Sequence, residues 1–256
     1  VETFKSFKVR RFFKENFIDD EDYVVVEEPL TLISCYKGEC EKMATIMRTP
    51  GEDYNLILGF LYTEGMINSL DEIEGIEERE NTVKVLFKKK GWNARKLAIN
   101  SSCGICGKEF LDLIETTVRK RDKVMASTIF KLPSELRRRQ DVFSKTGGLH
   151  AAAMFNFKGE LIEISEDIGR HNAVDKVIGK MLESNLISMN GKILQVSGRV
   201  GFEIVYKASR AGFEVVSGIS SPSTMAIEYA KSCGITLIAF LRENKFNVYS
   251  FPERIL

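Results

Sequence analysis

Two cysteines three positions apart, Cys103 and Cys106, each followed by glycine in the run Ser101-Ser102-Cys103-Gly104-Ile105-Cys106-Gly107, are the residues of this chain best suited to chemistry at sulfur. Glycine after each thiol leaves the backbone loose and the sulfurs hard to bury, so an exposed loop is expected. A helix-like run follows from Lys108, with Phe110, Leu111, Leu113 and Ile114; its N-terminus and the lysine would both lower a thiol pKa and favour the thiolate. Three uses fit such a pair: half of a zinc site, a dithiol redox couple, or a thiolate that accepts and passes on a persulfide. Zinc needs about four ligands in a structural site, or three and a water in a catalytic one, and there is no second Cys-x-x-Cys, so His150 or His171 would have to complete it. The His-x-Glu and Pro-Cys-x-x-Cys pattern of nucleobase deaminases is absent: His150 precedes Ala151 and Ala152, His171 precedes Asn172 and Ala173, and Ser102 stands before Cys103. A thioredoxin-like couple should follow a strand of a βαβ unit, whereas only Leu97-Ala98-Ile99 lies just upstream.

A second polar constellation is the run Ser165-Glu166-Asp167-Ile168-Gly169-Arg170-His171-Asn172-Ala173-Val174-Asp175-Lys176, which enters an apolar-striped helix. His171 and Asp175, four apart, share a helix face within hydrogen-bonding reach, and Arg170 falls at the helix N-terminus. A single His-Asp pair of this kind is more often a structural hydrogen bond than a catalytic dyad. Downstream, strands at 192–197, 214–217 and 235–241 alternate with helices at 202–211 and 224–232, a pattern of right-handed crossovers and a largely parallel sheet. Ligands of such sheets sit beyond the strand C-termini, where helix N-termini favour anions. The loops there carry Ser197-Gly198-Arg199, then Ser221 to Thr224 with Pro222, then Leu241-Arg242-Glu243-Asn244-Lys245. Glycine, hydroxyl and guanidinium at three successive loops suit a phosphorylated ligand, although ordinary capping produces similar runs.

The elements upstream read as strands at 23–27, 30–36, 40–47 and 82–87, with a helix from Asp53 through Leu56, Ile57, Phe60 and Leu61 to Gly65. The basic, irregular stretch 119–139, with Pro133 and the triplet Arg137-Arg138-Arg139, marks a junction near 125–135, and the triplet reads as a solvated helix face. A strand pair at 149–157 and 161–165 follows. The expectation is an α/β protein with an α+β part at 1–130 carrying the Cys-x-x-Cys loop and an α/β cofactor-binding domain at 131–256. The chain has 256 residues, 44% of them hydrophobic, which suffices for a real core. No apolar run approaches a membrane span, and the N-terminal run lacks the apolar stretch of a secretory signal, so a soluble, cytoplasmic protein is expected. A formal charge of +1 argues against a generic nucleic-acid binder. The blocks of basic residues before Glu15 and acidic residues after it read as solvated arms. The other cysteines, Cys35, Cys40 and Cys233, are expected to be reduced, buried and structural.

In order along the chain, Ser101 to Gly107, Thr146-Gly147-Gly148-Leu149-His150-Ala151, Glu166 to Lys176, Ser197-Gly198-Arg199, Ser221-Pro222-Ser223-Thr224, and the segment from Gly234 through Arg242 to Arg254 resemble the formate dehydrogenase accessory proteins, the FdhD family of sulfur carriers. The resemblance covers about residue 100 to the C-terminus. It implies a protein that takes persulfide sulfur from a cysteine desulfurase and delivers it to molybdenum bis(molybdopterin guanine dinucleotide) for formate dehydrogenase. It also implies a homodimer and a cytidine-deaminase-like C-terminal domain without zinc. Carried onto this chain, Cys103 is the first persulfide candidate, with Cys106 as resolving or relay thiol. The family's cofactor segment falls at Phe240, Leu241, Arg242, Glu243, Asn244 and Lys245. Arg170, Ser197, Gly198, Arg199, Ser221 and Thr224 are the candidates for holding phosphates and guanine, with His171 and Asp175 organising the pocket. Two rival readings are a non-enzymatic chaperone that holds the cofactor through the two thiols and a zinc-dependent deaminase relative.

Overall fold

The computed structural model describes residues 1–89, 97–99 and 122–256. The chain opens with an antiparallel ribbon, β1 (Phe4–Phe13) and β2 (Asn16–Val25), joined by a two-residue turn in which Lys14 and Glu15 both have positive φ. The basic and acidic blocks face each other across it, as in the Arg11–Asp20 contact at 3.1 Å, and both strands remain largely exposed. Next come β3 (Glu28–Tyr36), β4 (Glu39–Arg48), α1 (Asp53–Thr63), β5 (Ile73–Arg79), β6 (Thr82–Phe87) and β7 (Leu97–Ile99). These strands form a five-stranded sheet of order β5-β6-β3-β4-β7, with β3–β6 and β4–β7 parallel and the other pairs antiparallel. The rest is α2 (Ala126–Arg138), α3 (Asp141–Thr146), β8 (His150–Asn156), β9 (Leu161–Asp167), α4 (Arg170–Glu183), β10 (Lys192–Val196), α5 (Phe202–Arg210), β11 (Val215–Gly218), α6 (Thr224–Cys233), β12 (Thr236–Ala239) and β13 (Asn247–Val248). Among the described residues, no helix is long and apolar enough to cross a membrane.

The expected largely parallel sheet is corrected to a mixed one. The order is β13-β12-β11-β10-β8-β9, and only β10–β11 and β11–β12 are parallel. Those two pairs are the ones linked by helical crossovers. The tight turn between β8 and β9, with Gly159 at φ 84°, can join only antiparallel neighbours, and the short link from β12 to β13 does the same at the other edge. The stretch 119–139 is likewise not irregular over its second half. Ile129, Leu132 and Leu136 recur at helical spacing and are fully buried, which offsets the roughly 3 kcal/mol that Pro133 costs inside α2. The arginine triplet ends that helix, exposed to solvent.

Cys35 and Cys40 depart from expectation too, because they form a disulfide. The Lys37-Gly38 turn places them directly opposite each other on β3 and β4, a register that spacing along the chain does not reveal. Cys233 is free and buried as expected, and burial pushes its thiol up to about 11.

One apolar cluster joins the two sheets. Leu30, Leu32, Val83 and Val85 of the five-stranded sheet meet Leu56 and Leu61 of α1, and the cluster continues through Val174 and Ile178 of α4 to Leu194 of β10. On the opposite face of the six-stranded sheet, α2 covers Ala153, Phe155 and Ile193. At two glycines, helices α1 and α4 approach backbone to backbone. A Cβ on Gly59 would lie 1.8 Å from the Asp175 carbonyl oxygen, and one on Gly179 would lie 1.9 Å from that of Asn55.

Backbone cannot yield as a flexible side chain can. Gly59→Ala and Gly179→Ala are each expected to cost about 3 kcal/mol through overpacking, despite alanine's advantage of about 1 kcal/mol in a helix. Urea unfolding measures this; a variant as stable as the parent would show that the helices do not touch there.

Candidate functional site

The turn from β9 into α4 is held by a network of buried charge. Asp167 Oδ1 accepts from Gly169 N and Asn172 Nδ2, both at 2.8 Å, while Oδ2 accepts from Thr49 N at 3.2 Å and meets the Lys176 ammonium at 2.8 Å. Lys176 also donates to the carbonyls of Thr49 and Glu166, and Asn172 donates to that of Met47. Glu166 accepts from the Val142 and Phe143 N–H groups at the start of α3. The dense polar run is therefore mostly structural: it ties the α4 N-terminus to the end of β4.

Asp175 belongs to a second network. Both of its oxygens lie 2.9 Å from Lys207 Nζ of α5, and Oδ1 accepts from Thr63 Oγ1 of α1. Burial pushes Asp175 up to about 6, with Lys207 and Thr63 pulling it back. Burial acts against the Lys207 charge, yet Asp175 and Glu64 hold its pKa above the usual lysine value, so the pair is ionic near neutrality. The expected hydrogen bond between His171 and Asp175 does not form, because Lys207 and Thr63 take the carboxylate.

Arg170 and His171 are what those networks leave over. Arg170 Nε and both His171 ring nitrogens are buried without a hydrogen-bond partner. His171 is 4% exposed, and its Nε2 stands 3.8 Å from Glu203 Oε2, close enough for charge attraction but too far for a hydrogen bond. Contact with His171 holds the Glu203 carboxyl down at about 2 against the effect of burial, helped by the residue's own backbone N–H. Burial in turn keeps His171 below its ordinary 6.5, Glu203 pulling upward and Arg170 and Lys207 downward. His150 opens β8 in register with Asp167, and its ring would touch a Cβ on Gly198 at 3.2 Å. Burial first, then the charges of Arg170 and Arg199, lower its pKa, with Asp167 opposing. The structure thus brings His150, Arg170, His171, Gly198, Arg199 and Glu203 to the C-terminal end of β10. Helices α4 and α5 both begin there, and neither Gly169 nor Gly201 supplies a side-chain cap. Two uncapped helix N-termini, two guanidinium groups and neutral histidines make a region suited to anions.

The other loops are placed as follows. Ser197 Oγ accepts from Ala151 N, fastening its loop to β8, and Arg199 is exposed. Pro222 lies opposite Val200, whose N–H donates to the Ser221 carbonyl. Thr224 begins α6, but Ser223 is the residue that caps it, accepting from Ala226 N. Phe240 is 40% exposed with φ 52°, Leu241 is buried in the second core cluster, and Glu243, Asn244 and Lys245 are exposed. Arg242 Nη1 donates to the Ile219 and Leu241 carbonyls, joining the second and third loops. Cys103 and Cys106 lie outside the described residues. Among the described residues, no three His, Cys, Asp or Glu side chains gather as a metal site. His150 and Glu203 were not among the expected ligand residues. An acid in the first turn of a helix after Gly201 is a legible signal for Glu203, whereas nothing local marks His150 as a neighbour of Gly198.

The FdhD/NarQ family model matches residues 25–256. The sulfur carrier protein FdhD of Saccharolobus solfataricus is 48% identical over 254 residues, covering 98% of each chain. That of Sulfolobus acidocaldarius is 51% identical over 237 residues, covering 92% of each. A crystal structure from Desulfotalea psychrophila, assigned as a formate dehydrogenase accessory protein, superposes with a TM-score of 0.81 at 25% identity, covering both chains in full.

With only two histidines in the chain, both can be followed by NMR titration. Each is expected to titrate below 6.5. At these two sites the unfolded chain takes up protons first as pH falls, so the histidines' contribution to stability is complete above about 6.5 and is lost toward the folded-state values. In Glu203→Gln, His171 should titrate lower still, because Glu203 raises its pKa, while His150 stays in place. A His171 midpoint unchanged by the substitution would show that the two side chains do not interact.

Proposed function

The chain belongs to the FdhD/NarQ family, and on that premise we propose how its residues divide the work. The protein is an FdhD-type sulfur carrier of formate dehydrogenase maturation, acting by cysteine-based sulfur transfer. A Cys103 thiolate attacks the outer sulfur of a cysteine desulfurase persulfide. The desulfurase S–S bond breaks, its electron pair leaves on the desulfurase thiolate, and Cys103 holds the new persulfide. Cys106 is the resolving or relay thiol. The substrate that receives the sulfur is molybdenum bis(molybdopterin guanine dinucleotide), and its anionic phosphates suit the strand-end cluster. Arg170 and Arg199 supply charge there, the uncapped N-termini of α4 and α5 supply N–H donors, and the Phe240 to Lys245 loop supplies an exposed aromatic ring and an exposed ammonium. His171 organises the pocket beside Arg170. Asp175, held by Lys207, contributes by fixing α4 against α5.

The observation that carries this reading is the set of buried nitrogens without a hydrogen-bond partner, Arg170 Nε and both ring nitrogens of His171, at a helix N-terminus with no side-chain cap. Unsatisfied buried polar atoms cost about 1–3 kcal/mol each, and a ligand that meets them recovers that energy. Chain connectivity agrees. Ile99 on β7 lies beside Ile46 on β4, one residue from the Met47 carbonyl that Asn172 holds. Cys103 follows Ile99 by four residues, a reach of at most about 14 Å. Cytoplasmic location, a homodimer, and docking to formate dehydrogenase complete the proposal.

Incubation with a cysteine desulfurase and cysteine, read by mass spectrometry, tests the thiol roles. Cys103→Ala should fail to gain sulfur, whereas Cys106→Ala should load and then deliver poorly. Loading that survives Cys103→Ala would reverse the assignment. Separately, Arg199→Gln should weaken binding of a guanine nucleotide about tenfold, the loss expected for one charged hydrogen bond. Unchanged affinity would remove Arg199 from the site.

A further inference from the structure

A cavity of about 290 Å³ opens beside β9, the edge strand of the six-stranded sheet, between residues 49–52 leading into α1 and the corner between α2 and α3. Most polar groups in its wall are already committed. Lys176 serves Thr49, Glu166 and Asp167; the Glu166 carboxylate serves two backbone N–H groups; Glu52 is ion-paired with Lys180. Besides the hydroxyl of Thr3, two groups are left over among the described residues. Ser165 lines the cavity; the residue is only 3% exposed, and its hydroxyl is buried with no hydrogen-bond partner. Arg139, an exposed residue, also lines it, and its guanidinium has no acidic partner among the described residues. Between them the wall is apolar, formed by Pro50, Val142, Leu149 and Ile164.

One uncommitted guanidinium, the buried uncommitted hydroxyl of Ser165 and an apolar wall match a planar monoanion with an apolar body. A guanidinium fork binds a carboxylate through two parallel hydrogen bonds, and a phosphate would need more positive charge than this wall leaves free. The volume lies at the small end of ligand pockets. We propose that this cavity is a binding site for a small monocarboxylate: Arg139 grips the carboxylate, Ser165 donates to it, and the apolar chain lies against Pro50, Val142, Leu149 and Ile164. The existence of this site does not depend on the sulfur-transfer assignment.

Calorimetric titration of the full chain with hexanoate, hexanamide and inorganic phosphate tests the proposal. Hexanoate should bind, and hexanamide and phosphate should bind at least about tenfold more weakly. Arg139→Gln, at an exposed position, should reduce hexanoate affinity about tenfold, Arg139→Lys less so, and Ser165→Ala several-fold. Denaturant unfolding of each variant confirms that the fold is retained. Absence of hexanoate binding, equal binding of hexanamide or phosphate, or full affinity in folded Arg139→Gln would overturn the assignment.

Discussion

The backbone contact between α1 and α4 at Gly59 and Gly179 is the constraint on which the rest of the molecule depends. Removing two side chains lets a helix from the five-stranded sheet's half lie directly on a helix from the other half, and the apolar cluster closes around that crossing. The approach also sets the electrostatics. Asp175 presents its backbone to Gly59 and its carboxylate to Thr63, one turn further along α1, where Lys207 of α5 completes the set. A wider crossing would leave Asp175 and Lys207 desolvated without the hydroxyl that shares their charge.

Buried charges of this kind are costly in isolation and tolerable when every lone pair is met. Asp167 has four partners and Lys176 three, both almost completely buried. Their exactness makes the neighbouring exception informative. Arg170 and His171 stand in the same run yet have buried atoms with no partner, and the networks on either side prevent the turn from relaxing to provide one. The scaffold spends its satisfied polar groups on holding two unsatisfied ones in place, which is the arrangement a ligand site requires.

Much of the fold was legible. Alternation located β3, β6, β8 and β9, helical spacing located α1 and α4, and the crossovers correctly predicted parallel pairing of β10, β11 and β12. The mixed character of the sheet was missed because its antiparallel members are decided by the links at its edges, not by strand composition. The site was legible in part. Ser197, Gly198 and Arg199 come to a strand end, as the crossover argument requires, and Arg170 takes the helix N-terminal position expected of it. Asp175 was read as a partner of His171 because position i+4 is the nearest neighbour a sequence can see, whereas Lys207 and Thr63 lie 32 and 112 residues away.

By itself the sequence determined the family and much of the order of strands and helices from β8 onward, and it singled out Cys103 and Cys106 as candidates for thiol chemistry, because motifs, periodicity and residue type are local properties. Only the tertiary structure decided that the polar run of α4 is mainly scaffold, that Cys35 meets Cys40, and that Glu203 and His150 join Arg170. Those outcomes depend on long-range contacts, and in a close-packed, low-dielectric interior the partner a charge finds is set by which elements lie against it.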